Sequence, residues 1–140
     1  MKASKFPRSY RAYCFDDKKM YYPKDLIKLG MSLSPDGLPS FTKEPHFSIV
    51  LMWNTGQLDK NQKEIHESDI CKVKIKNEFG SVTEDYAVMR YNQSTNQFIL
   101  HVPMPYGGQL MEITEAELIG NEFENPELIP LITHPEEANG

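Results

Sequence analysis

The sequence is poor in the features that usually announce a chemistry. Its 140 residues include two cysteines, Cys14 and Cys71, in separate segments with hydrophobic neighbours. Spacing leaves a disulfide between them open; without a secretory signal, the pair reads instead as buried thiols in a reducing compartment. No window approaches the ~20 apolar residues of a membrane-spanning helix. Met1 to Arg11 is basic and has no apolar stretch of the signal-peptide kind. A cytoplasmic protein without membrane contact is the expectation. There is no Gly-rich phosphate loop and no nucleophile elbow. The four histidines, His46, His66, His101 and His134, are scattered, whereas a mononuclear metal site needs three convergent ligands.

Basic residues are missing too, but only from one end. Residues 109–140 hold eight Glu and no Lys or Arg, residues 1–28 hold eight Lys/Arg against three Asp, and the whole chain carries −5. Three arrangements fit this polarity: an acidic tail folded over a basic N-terminus, head-to-tail contact between subunits, or a solvated tail. A net acidic domain is a poor non-specific DNA binder, and only the basic N-terminal face keeps nucleic acid in play.

What is present reads as strands. Ser9 to Phe15 and Met20 to Tyr22 flank a polar turn, Asp16 to Lys19, as in a hairpin. Lys24 to Leu29 forms a helical turn ended by Gly30. Leu33 to Pro45, rich in Ser, Pro, Gly and Asp, is a long loop without period. Phe47 to Trp53 is a continuous apolar run of buried-strand length, and Asn54 to Ser68 is a polar stretch. Cys71, Val73 and Ile75 then alternate with Lys72, Lys74 and Lys76, so one face is apolar and the other carries three ammonium groups. Val82 to Tyr91 and Gln97 to Val102 follow across short turns, completing an antiparallel meander.

Leu110 to Glu124 is ambiguous. It holds either a strand near Leu118 to Phe123 or a helical turn begun by Thr114 and Glu117 as a capping box. Asn125-Pro126-Glu127 starts a short helix, cut off by Pro130, and 134–140 is a frayed acidic tail. The fold class is mainly β: a small antiparallel barrel or rolled sheet, of the SH3-like kind, with one or two short helical turns in a single domain over 1–133. A chain this long buries roughly two thirds of its unfolded surface, so it needs neither metal nor disulfide to fold.

Candidate chemistry is thin. Asp59-Lys60-Asn61-Gln62-Lys63 opens like a calcium loop, but Glu64 stands where the sharp turn needs Gly, and Ile70 where the bidentate Glu belongs. His66, Glu67 and Asp69 suggest acid–base work, and Glu64 with them an enzyme; the simpler reading makes Asp69 a loop anchor accepting backbone amides. Cys71 lies on an apolar strand face, which suits packing better than nucleophilic attack. The lysine face is blunted by Glu64, Glu67 and Glu78. Tyr10, Tyr13, Phe15, Tyr21 and Tyr22 either pack in the core or stack bases on an oligonucleotide-binding surface. That surface would add Arg8, Arg11, Lys18 and Lys19. No metal and no cofactor are expected.

Three blocks carry a resemblance: YRAYCFDDKKMYY (Tyr10 to Tyr22), TGQLDKNQKEIHESDICKV (Thr55 to Val73) and LIGNEFENPELI (Leu118 to Ile129). With them the chain resembles the YopX-like proteins of bacterial phages and prophages, whose central run reads roughly TGLxDKNGKEIYEGDIV and whose end reads roughly EVIGNIYENPELL. The pattern residues carried over are Arg11, Met20, Thr55, Gly56, Asp59, Lys60, Glu64, Ile65, Glu67, Asp69, Ile70, Gly120, Asn121, Glu124, Asn125 and Pro126. Three positions depart from it. Gln62 and Ser68 stand where the pattern has Gly, and His66 where it has Tyr. A positive φ at either Gly position would strain this chain. The resemblance implies a β-rich fold and self-association, and no reaction. The functional expectation is a non-enzymatic prophage accessory protein working through protein contacts as a homo-oligomer in the bacterial cytoplasm. The alternative is a nucleic-acid-binding module using the N-terminal hairpin.

Overall fold

The structure, a computed structural model, describes residues 10–26, 30–33, 39–41, 48–103 and 111–133, with 31–33 and 39–41 described by backbone alone. The expected tail, 134–140, and Arg8 lie outside these residues. Strand β1 (Tyr10–Cys14) turns at 15–18 into β2 (Lys19–Tyr21), and Pro23 opens a single helical turn, α1 (Pro23–Leu26). Short strands β3 (Met31–Leu33) and β4 (Pro39–Phe41) pair with each other. The Leu33–Pro45 segment is therefore not wholly irregular, because Leu33 and Pro39–Phe41 within it take part in strand pairing that its composition does not advertise.

Next come β5 (Ile49–Leu58), β6 (Glu64–His66), β7 (Asp69–Asn77), β8 (Val82–Asn92), β9 (Gln97–His101) and β10 (Met111–Asn121). A 3-10 turn (Pro126–Leu128) leads into α2 (Ile129–Ile132). Pro130 does not end this helix. It occupies the first turn, where a missing N–H costs nothing.

Four strands form sheet I in the order β2-β1-β5-β6, and four form sheet II in the order β10-β7-β8-β9. All pairings are antiparallel. The protein is mainly β, with one sheet curled as a half-barrel.

The inner face of sheet II carries the alternation of β7. Cys71, Val73 and Ile75 pack with Ala87, Met89, Ala116 and, from sheet I, Ile65. Each buried side chain of this size contributes roughly 1.5–3 kcal/mol. On the opposite face, Ile70 and Val88 are covered by Ile132, with Leu128 and Ile119 beside them. Sheet I has its own clusters, Tyr10, Ala12 and Leu26 on one face and Tyr13, Met20 and Met52 on the other. Cys14 and Cys71 are free and buried, and burial pushes the Cys71 thiol up to about 12.

Two expectations need correcting. Residues 111–121 are one continuous strand with no helical turn; Thr114 sits at a register irregularity, where its Oγ1 donates to Lys74 O at 3.3 Å. The lysine face is blunted by other acids than those expected. Lys72 pairs with Glu84 at 3.1 Å and Lys74 with Glu115 at 3.4 Å, while Lys60 reaches Glu117 at 3.0 Å. Glu115 and Glu117, from the acidic C-terminal region, thus lie against lysines from the middle of the chain. Each exposed pair contributes little by itself, and together they help fix which strand lies beside β7.

Candidate functional site

The central polar stretch is not a loop. β5 continues through Asn54 to Leu58 and folds back as β6. A bulge at Thr55 and Gly56 separates the pairs Asn54↔His66 and Gln57↔Ile65. Gly56 takes φ +80, its amide donates to Asn54 Oδ1 at 3.0 Å, and Thr55 Oγ1 donates to Ile65 O at 2.7 Å. Glu64 opens β6 opposite Leu58.

The hairpin tip holds the edges of the other sheet. β9 and β10 are the two edge strands of sheet II. Gln57 Nε2 donates to Phe98 O of β9 at 3.2 Å, and Lys60 N donates to Ala116 O of β10 at 2.9 Å. Asp59 Oδ2 accepts from Leu118 N of β10 at 2.9 Å. Its Oδ1 accepts from the amides of Asn61 and Lys63 at 2.8 and 2.9 Å. Both oxygens of this carboxylate are thus engaged by backbone, in the manner of an Asx turn. Residues 57–60 therefore reach both edge strands of sheet II and occupy backbone groups that an open edge would present to other chains.

A buried polar node lies where the two sheets meet. Arg11 Nη2 donates to Asp69 Oδ1 at 2.7 Å and to Glu67 O at 3.1 Å. Asp69 Oδ2 accepts from His66 N at 2.7 Å, and Glu67 Oε1 accepts from Trp53 N at 2.8 Å. Arg11 is 3 % exposed and Asp69 1 %. Burial pushes the Asp69 carboxyl up to about 6, against the pull of Arg11 and the His66 amide. His66 goes the other way, down to about 3, through burial and the nearby Arg11 charge. Neither group faces an open cleft.

The third block turns the chain at the end of β10. Asn121 Oδ1 accepts from the amides of Phe123 and Glu124 at 3.0 and 2.8 Å, and its Nδ2 donates to Glu124 Oε1 at 2.9 Å. Asn125 makes no helix cap with its side chain; its Oδ1 instead accepts from Asn121 N at 3.1 Å. Pro126 begins the 3-10 turn behind it. Gly120 admits this arrangement, because a Cβ there would lie 2.5 Å from Asn125 Oδ1 and 2.8 Å from Leu128 Cδ1.

The contact surface expected of the N-terminal hairpin is largely internal. Tyr10 lies against Trp53 with ring centroids 3.9 Å apart, and Tyr13 stacks on Phe123 at 5.3 Å. With Arg11 they are buried, because β1 is a central strand and both its faces are covered. Lys18 and Lys19 remain exposed. Tyr21 is half-buried and donates its hydroxyl to Asp17 at 2.6 Å. The Arg11–Asp69 pair and the edge-bridging role of Gln57 are the features that sequence reasoning missed.

The sequence profile of the family described as YopX protein matches residues 9–130. The chain belongs to the YopX family. No curated protein matches it. Among solved structures, the crystal structure of protein EF1440 from Enterococcus faecalis is similar, at 22% identity and a TM-score of 0.53, over 86% of this chain and 96% of that one. At that identity the likeness concerns the fold. Within the YopX match, Asp59, Glu67, Asp69 and Asn121 all accept backbone amide hydrogen bonds. No group of three or more metal-ligating side chains occurs among the described residues, and no described helix is long and apolar enough to cross a membrane.

Proposed function

We propose that this YopX-family chain is a prophage accessory protein that acts through protein contacts as a homo-oligomer in the bacterial cytoplasm, and that it is not an enzyme. The observation that carries the reading is the use made of the motif side chains. Glu67 and Asp69, two of the acid–base candidates, and Asp59, which opens the calcium-like run, are engaged by backbone amides or by Arg11. A catalytic carboxylate instead keeps an oxygen directed at a substrate position. The nucleic-acid alternative retains at the surface, from its described contact set, Lys18, Lys19 and part of Tyr21. Size-exclusion chromatography with light scattering, at low and high salt, tests the proposal. An oligomer supports it, and a monomer in every condition removes the oligomer claim.

A further inference from the structure

Sheet I is built from residues before Glu67 and sheet II from residues after Ser68. A two-residue link therefore carries the chain from one sheet to the other. Ser68 has φ +70, a left-handed conformation that is costly for a residue with a Cβ. Its amide donates to Met89 O at 3.0 Å, and its carbonyl accepts from Glu122 N at 3.1 Å, so both bonds fix Ser68 to sheet II in this conformation. Three contacts that join the sheets lie away from the link, Gln57 with Phe98, Asp59 with Leu118 and Lys60 with Ala116, and a fourth, Arg11 with Asp69, lies directly beside it. None of them depends on which copy of the chain supplies sheet I.

We propose that the protein forms a domain-swapped homodimer, in which sheet I of one copy docks on sheet II of a second copy through an opened Glu67–Ser68 link. The proposal rests on the homo-oligomer reading and names the surface that reading requires. The inter-sheet contacts made outside the link survive the exchange, so the dimer needs no new interface. Opening the link relieves the backbone strain at Ser68 and gives up its two backbone hydrogen bonds. These effects oppose each other, and protein concentration decides between the closed and exchanged forms. The buried Arg11–Asp69 pair adds a constraint. An opened chain leaves both charges without a partner, so it either recloses or captures a second copy.

The test is refolding from denaturant at low and high protein concentration, followed by light scattering, for the wild type, Ser68→Pro and Ser68→Gly. Proline cannot take a positive φ and has no N–H for Met89 O, so Ser68→Pro bars the closed turn and permits an extended link. It is expected as a dimer with native strand content. Ser68→Gly relieves the strain within the closed form and should shift the balance toward monomer by about tenfold per link. A folded Ser68→Pro monomer overturns the proposal. Where Ser68→Pro does not fold, the comparison of Ser68→Gly with the wild type decides, and equal dimer fractions overturn it. A wild-type oligomer indifferent to both substitutions removes the exchange and leaves the homo-oligomer reading standing. Monomers throughout remove both.

Discussion

Arg11 of β1 and Asp69 at the start of β7 form an ion pair of 2.7 Å across the junction of the two sheets, both nearly inaccessible to water. Removing one partner of such a pair leaves an uncompensated buried charge. Arg11→Met should therefore destabilise by about 3–5 kcal/mol near pH 8. Without the guanidinium, the Asp69 pKa rises further. A carboxyl whose folded pKa is raised favours the native state at low pH and loses that advantage as pH climbs through the folded value. The deficit of Arg11→Met should shrink to roughly 1–2 kcal/mol near pH 5, as Asp69 takes up a proton. Urea unfolding at the two pH values measures it; a deficit independent of pH contradicts the account.

His66 titrates in the opposite sense. Its folded pKa lies far below 6.5, so the stability it contributes is present above pH 6.5 and declines as pH falls from there toward 3. Its ring meets that of Tyr22 edge-on at 6.1 Å. His66→Tyr, the residue of the YopX pattern, keeps an aromatic ring and removes the titration. Relative to the wild type, it should gain on the order of 2 kcal/mol between about pH 6.5 and pH 4.5. The comparison of the two proteins isolates His66 from Asp69, whose protonation works the other way in both.

Asp59→Asn puts an NH2 group where Leu118 N–H or the Asn61 and Lys63 amides now find an oxygen. At least one donor is then left facing another. The expected loss is about 1–3 kcal/mol. Amide hydrogen exchange at Leu118 should accelerate more than at Val73 on the neighbouring strand. Equal acceleration at both would mean that Asp59 does not anchor the edge of β10.

Gly120→Ala drives a Cβ against the Asn125 carboxamide and Leu128. A loss of about 1–3 kcal/mol is expected from the overpacking. Asn125→Ala alone frees the space and strands Asn121 N. The double variant should therefore be less destabilised than the sum of the two single changes, by at least about 0.5 kcal/mol in a thermodynamic cycle. Additivity would place the two effects in separate causes.

Gln62 holds φ +67 in the hairpin tip. Gln62→Gly should raise stability by about 0.5–1 kcal/mol, less than the full relief of strain because Gly loses more freedom on folding. A denaturation midpoint that moves downward would refute the strain.

β7 is legible in the sequence because strict alternation survives between a core on one side and lysines on the other. β5 beyond Trp53 is not, since the bulge at Thr55 and Gly56 breaks the period and Asn54 faces inward. β10 hides for a related reason. Glu115 and Glu117 point outward to lysines, but the irregularity at Thr114 shifts Glu112 out of phase with them. Asp69 as an acceptor of local amides is readable from its place before a strand. Its cation is not, because nothing local links it to a residue 58 positions earlier. Gln62 and Ser68 are the two positions where the family pattern has Gly and this chain does not, and both take positive φ. A pattern of glycines therefore locates left-handed turns even in a chain that lacks them.

The distance along the chain between Arg11 and Asp69 also orders folding. The meander β7–β8–β9 involves near neighbours in sequence and can close early, whereas β1 must wait for β5 and then for the arrival of β7. Contacts of such long separation slow folding. On a ribosome, β1 is made before β5, its partner, and before β7, which supplies Asp69. Until Asp69 emerges, Arg11 has no counter-charge of its native kind. Burying Arg11 before that strand exists would leave an unpaired charge in the interior, so the pair favours joining the two sheets only once both of its members are made.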